Sequence, residues 1–204
     1  MDSLDRLARM FRDFPGIGER QAMRFVHFLL SSHSDYKKDL LRAISELDHK
    51  VTQCVECFRY FEEDGHERCD ICESSHTDKS VLLVLEKDAD VKAIVASRAY
   101  QGGIFIIGSV LPLGATDTKK TFRRDELLKR IEAGVKSGVL KEVILGFSLT
   151  PHGEHTTDIL RQMIQMSPSA QSLKVSSWGK GFSTGTEVEY SDSETLLSAL
   201  ENRK

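Results

Sequence analysis

Four cysteines constrain this chain more than any other feature. Cys54-x-x-Cys57 is followed, after eleven residues, by Cys69-x-x-Cys72, and the chain has no further cysteine. Each pair can set two thiolates about 2.3 Å from one ion, and two such pairs complete a closed tetrahedron around Zn²⁺. A closed shell leaves no position for water or substrate, so the predicted zinc is structural. A redox pair or unrelated buried thiols are the alternatives, but in a reducing compartment such pairs favour metal. The stretch from Cys54 to Cys72 has little apolar periodicity and many acids. Its fold is therefore expected to depend on the ion.

The cysteines separate two textures. Before them, Leu4, Leu7, Ala8 and Phe11 follow helical spacing, and Pro15 with Gly16 ends that pattern. A second helix is predicted from Glu19 to Leu30 and a third from about Tyr36 to Val51, so the first fifty residues form a helical unit. After the cysteines, VLLVLE (81–86), GIFIIG (103–108), EVILGFS (142–148) and LKVSSW (173–178) are short β-rich runs. Helical patterns lie between them at 88–99, 123–137 and 154–166. That alternation predicts an α/β fold with a parallel sheet covered on both faces. In the closing SDSETLLSALENR, Ser191 and Glu194 have capping-box spacing ahead of a helix.

The turn between the first two helices, FPGIGERQAMRF (14–25), raises a functional question. Gly16 and Gly18 permit a tight turn around Ile17, with backbone N–H groups at the start of the second helix free to bind a DNA phosphate. Arg20 and Arg24, four residues apart, share a helix face beside that turn. This is the pattern of a helix-hairpin-helix site, which reads phosphates and not sequence. The plain alternative is a helical corner with capping glycines and solvated arginines. Glu19 opposes phosphate locally, so affinity per subunit is expected to be weak and salt-dependent.

The formal charge of -3 is no nucleic-acid signature, but local patches matter more than the total. Residues 119–130 (KKTFRRDELLKR) carry six basic and two acidic side chains, either a solvated face or part of a DNA channel. Apolar runs are strand-sized, too short to span a bilayer, and the N-terminus lacks the apolar stretch of a signal peptide, so a cytoplasmic location is expected.

Taken in order, the PGIG hairpin, the cysteine quartet, VLLVLEKDADVKAI, YQGGIFIIGSVLPL, KEVILGF with TPHGEHTTDIL, and EVEYSDSETLLSALENR resemble the bacterial recombination mediator family RecR from end to end. The resemblance implies a helix-hairpin-helix DNA-binding domain over 1–52, a C4 zinc finger over 53–79, a Toprim-type domain over 80–178 and a C-terminal helical segment over 179–204. It also implies a homo-oligomer, dimer or ring-like tetramer, that holds DNA and works with RecO, and with RecF where present, to help load RecA onto single-stranded DNA. No catalytic turnover is attributed to the family.

In a parallel sheet, ligands collect at the carboxyl ends of strands, here Glu86 and the Pro151-His152-Gly153-Glu154 stretch. Toprim enzymes cluster carboxylates there for Mg²⁺. This chain has Glu86, with Asp88 and Asp90 nearby, and Glu154, but no second acidic pair, and His152 stands where relatives carry a carboxylate. One Mg²⁺ would be held weakly. A Mg-dependent Toprim nuclease or primase-like phosphoryl transferase is the enzyme alternative. In the family this edge docks the basic partner RecO, which implies a partner-binding role for Glu86 and Glu154. For Asp88 and Asp90 the plain alternative is a solvated helix start.

Overall fold

The computed structural model describes residues 2–115, 122–179 and 185–201, without the side chains of Val188, Glu194 and Glu201. The chain divides into two compact units between Thr52 and Gln53.

The first unit holds α1 (Ser3–Arg12), α2 (Glu19–Ser31) and α3 (Ser34–Lys50). Asp2 caps α1 by accepting the Leu4 amide at 3.4 Å, and Asp5 and Arg9 with Arg12 complement the helix dipole at its two ends. The small residues Ala8 and Ala22, with Val26, form the buried seam between α1 and α2, flanked by Leu4, Leu7, Phe11, Ile17 and Met23. By contrast, α3 buries no residue, although its apolar positions keep helical spacing.

The second unit begins at the end of β1 (Val51–Gln53) and contains β2 (Tyr60–Glu62) and the short α4 (Asp70–Glu73) around the cysteines. Then follow β3 (Asp78–Leu85), α5 (Asp88–Ser97), β4 (Gly102–Ile106), α6 (Arg124–Lys136), β5 (Glu142–Gly146), α7 (Pro151–Met166) and β6 (Lys174–Ser177). The four long-sheet strands are parallel and ordered β4-β3-β5-β6, with Leu83 aligned to Ile104 on one side and Ile144 on the other. The chain leaves β3 toward β4, then turns back past it to β5. Right-handed crossovers consequently put α5 on one face and α6 with α7 on the other.

Two cores record this. Leu83, Leu85, Ile104 and Ile106 pack on Val91 of α5. Leu82, Val84, Phe105, Val143 and Leu145 pack on Leu127 and Ile131 of α6 and on Leu160 and Ile164 of α7. Burial on both faces explains why the strands are unbroken apolar runs and not alternating ones.

A last helix, α8, spans Ser193–Glu201. Its cap is Asp192, whose carboxylate accepts the Thr195 amide at 2.8 Å, one residue later than the Ser191 expected from spacing. Aspartate caps as well as serine, and here it also accepts from the Thr195 hydroxyl at 2.8 Å, a second bond that favours this frame. The expected contribution of the Glu194 side chain, and Lys119 and Lys120 of the basic run, lie outside the described residues. No helix among the described residues is long and apolar enough to cross a membrane.

Candidate functional site

The four cysteines come together. All are buried, none is in a disulfide, and their sulfurs lie within 4.8 Å of one another. Cys57 Sγ and Cys69 Sγ stand 3.5 Å apart, far beyond the roughly 2.05 Å of a disulfide. Four sulfurs each about 2.3 Å from one ion would stand about 3.8 Å apart, so the cluster fits a tetrahedral metal. Among the described residues it is the one group of three or more side chains placed to hold a metal. The thiols compete for protons: contact with Cys69 and Cys72, and burial, push the Cys57 thiol far up, and contact with Cys57 pulls Cys69 far down. A cation removes that conflict by taking all four as thiolates.

The first pair is closed by local bonds. The Phe58 amide donates to the Cys54 carbonyl at 3.0 Å, and the Cys54 amide to the Arg59 carbonyl at 2.9 Å. Phe58 takes the left-handed conformation at φ 62°, which costs a non-glycine residue about 1–2 kcal/mol. Its ring offsets this by meeting Phe105 edge-on, with centroids 5.4 Å apart, and the Arg123 guanidinium lies 5.0 Å from its centroid. Next to it, the Cys57 carbonyl accepts the Ile106 amide at 2.8 Å, so the cysteine element covers the open edge of β4. Arg130 reaches from α6 to donate to the Glu56 carbonyl at 2.6 Å and pairs with the Glu56 carboxylate at 3.1 Å. Arg123 and Arg130, part of the basic run, therefore brace the cysteine element and are not a solvated face.

At the carboxyl end of the sheet, outgoing connections diverge from β3 and β5 to opposite faces, the geometry that opens a crevice. Glu86 follows β3 there, half-buried, with its carbonyl accepting the Gly108 amide at 2.9 Å. Glu154 sits in the first turn of α7, after Thr150 accepts the Gly153 amide as cap. Beside it a cleft of about 270 Å³ is lined by Ser148, Asp158, Arg161, Ser177 and Trp178.

The two neighbouring acids are otherwise engaged. Asp88 Oδ1 accepts the Tyr60 amide at 2.9 Å, and Asp90 Oδ2 the Lys87 amide at 3.3 Å, in the role expected of a helix start. Burial holds the Asp88 carboxyl above its usual range, against the opposing pull of the Tyr60 amide. His155 bonds the Ala115 carbonyl at 3.0 Å, and His152 is exposed.

Two residues given no individual role in the sequence reading fix this edge. Buried Thr156 accepts the Leu111 amide at 2.8 Å and donates to the His152 carbonyl at 2.7 Å. Gly153 packs directly on the Ser148 carbonyl, with no room for a Cβ. That contact is backbone on backbone and cannot rotate away. Gly153→Ala is expected to lower stability by about 3 kcal/mol, read as a shifted urea midpoint with an unchanged slope.

In the helical unit, Gly16 takes φ +77°, the conformation that favours glycine. Ile17 turns its side chain into the α1–α2 cluster, and Gly18 begins α2 without a side-chain cap. The first-turn amides of α2 are thus left to whatever lies outside the helix. Arg20 and Arg24 are exposed on that helix, with Arg24 Nη1 donating to Gln21 Oε1 at 3.4 Å.

No protein-family model matches the chain. It is 32% identical over 202 residues to "Recombination protein RecR" of Bifidobacterium longum subsp. infantis, covering 99% of this chain and 96% of the relative. The chain belongs to the RecR family. RecR of a Psychrobacter species is 32% identical over 203 residues, covering 99% of this chain and 98% of that one. RecR of Bdellovibrio bacteriovorus is 28% identical over 206 residues, covering 100% and 97%. The match to RecR proteins thus takes in the glycine turn, the cysteine quartet and the sheet edge together.

Proposed function

We propose that the protein is a DNA-binding mediator of recombinational repair that acts by holding and recruiting rather than by catalysis. The observation that carries this reading is the likeness to recombination proteins over essentially the whole chain. In this reading residues 1–52 are a helix-hairpin-helix domain, 53–79 a C4 zinc finger, 80–178 a Toprim-type domain and 179–204 a C-terminal segment. The backbone of Gly16, Ile17 and Gly18, with Arg20 and Arg24, grips phosphate. Cys54, Cys57, Cys69 and Cys72 hold one structural Zn²⁺, which supplies cohesion and no chemistry. Glu86 and Glu154 face a basic partner, RecO in the family, with RecF as a further partner and RecA loading as the outcome, in the cytoplasm.

Self-association has its own support. On α3, Leu41, Ile44 and Leu47 are 70%, 56% and 59% exposed, an apolar face with no partner among the described residues of one chain. Covering it in a dimer or ring-like tetramer would remove that surface from water and set several weak phosphate contacts around one DNA.

A Mg-dependent phosphoryl transferase would need clustered carboxylates aimed at one ion, whereas Asp88 and Asp90 each turn one oxygen to a backbone amide. Three assays test the choice. The full-length protein should bind a labelled oligonucleotide with strong salt dependence, and with Mg²⁺ it should leave that oligonucleotide uncut. Glu86→Gln should weaken capture of the basic partner about tenfold. Cleavage that disappears in Glu86→Gln would overturn the reading in favour of the enzyme.

A further inference from the structure

Every residue from Glu56 to Tyr60 is tied to something beyond its own turn. Glu56 is clasped by Arg130, Cys57 accepts from Ile106, and the Phe58 ring meets both Phe105 and Arg123. Arg59 pairs at 2.7 Å with Asp70, the neighbour of Cys69, and the Tyr60 amide bonds the Asp88 carboxylate at 2.9 Å. Two of these ties end at the carboxyl edge. Asp88 opens α5, two residues after Glu86, and Arg123 precedes α6, where its guanidinium donates to the Ile106 carbonyl at 3.2 Å and its amide to the Ile107 carbonyl at 2.9 Å. The left-handed turn at Phe58, closed by bonds from Phe58 to Cys54 and from Cys54 to Arg59, sits at the centre of these contacts.

We propose that the cysteine element and the acidic edge are one cooperative unit in which Phe58 and Asp88 are positioning residues. Metal held by the four thiolates orders the start of α5 beside Glu86, and an ordered start of α5 slows metal release. The reciprocity follows from linkage: a contact made only when the metal turn is closed must favour the metal as much as the metal favours it. Around metal sites, outer groups that hold the ligating loop commonly change affinity 10–100-fold. The significance for function rests on the reading of Glu86 as partner-facing. With that reading, the occupied metal site presents the edge in its binding form to a basic protein surface, and a stripped site does not.

The test uses the full-length zinc-loaded protein and a chromogenic chelator in excess. Asp88→Ala and Phe58→Leu are expected to release zinc about tenfold faster than wild type. Asp88→Asn, which keeps an oxygen to accept the Tyr60 amide, should stay within twofold of wild type, as should Lys92→Ala on the exposed part of α5. In hydrogen exchange, stripping zinc should quicken exchange at least tenfold in 86–90 and 104–108 while β6 and α2 keep their protection. Equal release from wild type and Asp88→Ala overturns the proposal. So does exchange confined to 54–72, or a loss spread equally through β6. Neither measurement needs a partner: unchanged partner capture by Glu86→Gln, with fast zinc release from Asp88→Ala, would sink the partner reading and leave the coupling standing.

Discussion

Cys57→Ser is expected to abolish tight zinc binding and to lower solubility, while native mass spectrometry of the wild-type chain finds one zinc. The effect follows from how small the apolar cluster around the thiols is. Among the described residues, the cysteines' own cluster contains beyond themselves only the partly buried Phe61 and Ile71. In zinc-finger peptides a structural zinc supplies about 10–16 kcal/mol of apparent binding energy at neutral pH. A serine hydroxyl in the same place stays protonated and cannot replace the thiolate. The damage would not stay local, since the Cys57 carbonyl is the acceptor for Ile106 on the edge strand and Phe58 packs on Phe105. A soluble, metal-free wild-type protein with undiminished stability would contradict the account.

The double substitution Arg20→Ala, Arg24→Ala is expected to weaken oligonucleotide binding by tenfold or more at low salt and to flatten its salt dependence. Each arginine that neutralises a phosphate releases about one counterion, so the log–log slope should become shallower by about two for each engaged subunit. Stability should be unaffected, because both side chains are exposed and surface changes of this kind usually stay within about 0.5 kcal/mol. Glu19 at the same helix start works against phosphate and keeps each contact weak, which makes the number of subunits engaged decisive. An unchanged slope in the double variant would remove the turn from the DNA interface.

Much of the second unit was legible because its signals are local. The strand runs and the α6 and α7 patterns appear within a few residues of their expected bounds, and the cysteine spacing announced a ligand set that the fold brings within 4.8 Å. Other roles had no local signal. Arg130 read as part of a basic face, but its partner Glu56 lies 74 residues away in sequence. Asp88 read as one of several acids near Glu86, and its commitment to Tyr60 spans 28 residues. Phe58 is an aromatic in a position where its backbone would prefer glycine, and only Phe105 and Arg123 explain it.

By itself the order of residues determined the four-cysteine spacing, the alternation of strand and helix and the glycine turn, since spacing, side-chain period and backbone permissiveness act over a few neighbours. Tertiary structure alone decided which charges are braces and which face outward. Burial and hydrogen bonding of a side chain depend on what arrives from elsewhere in the chain, as the clasp of Arg130 on Glu56 and the bond from Tyr60 to Asp88 illustrate.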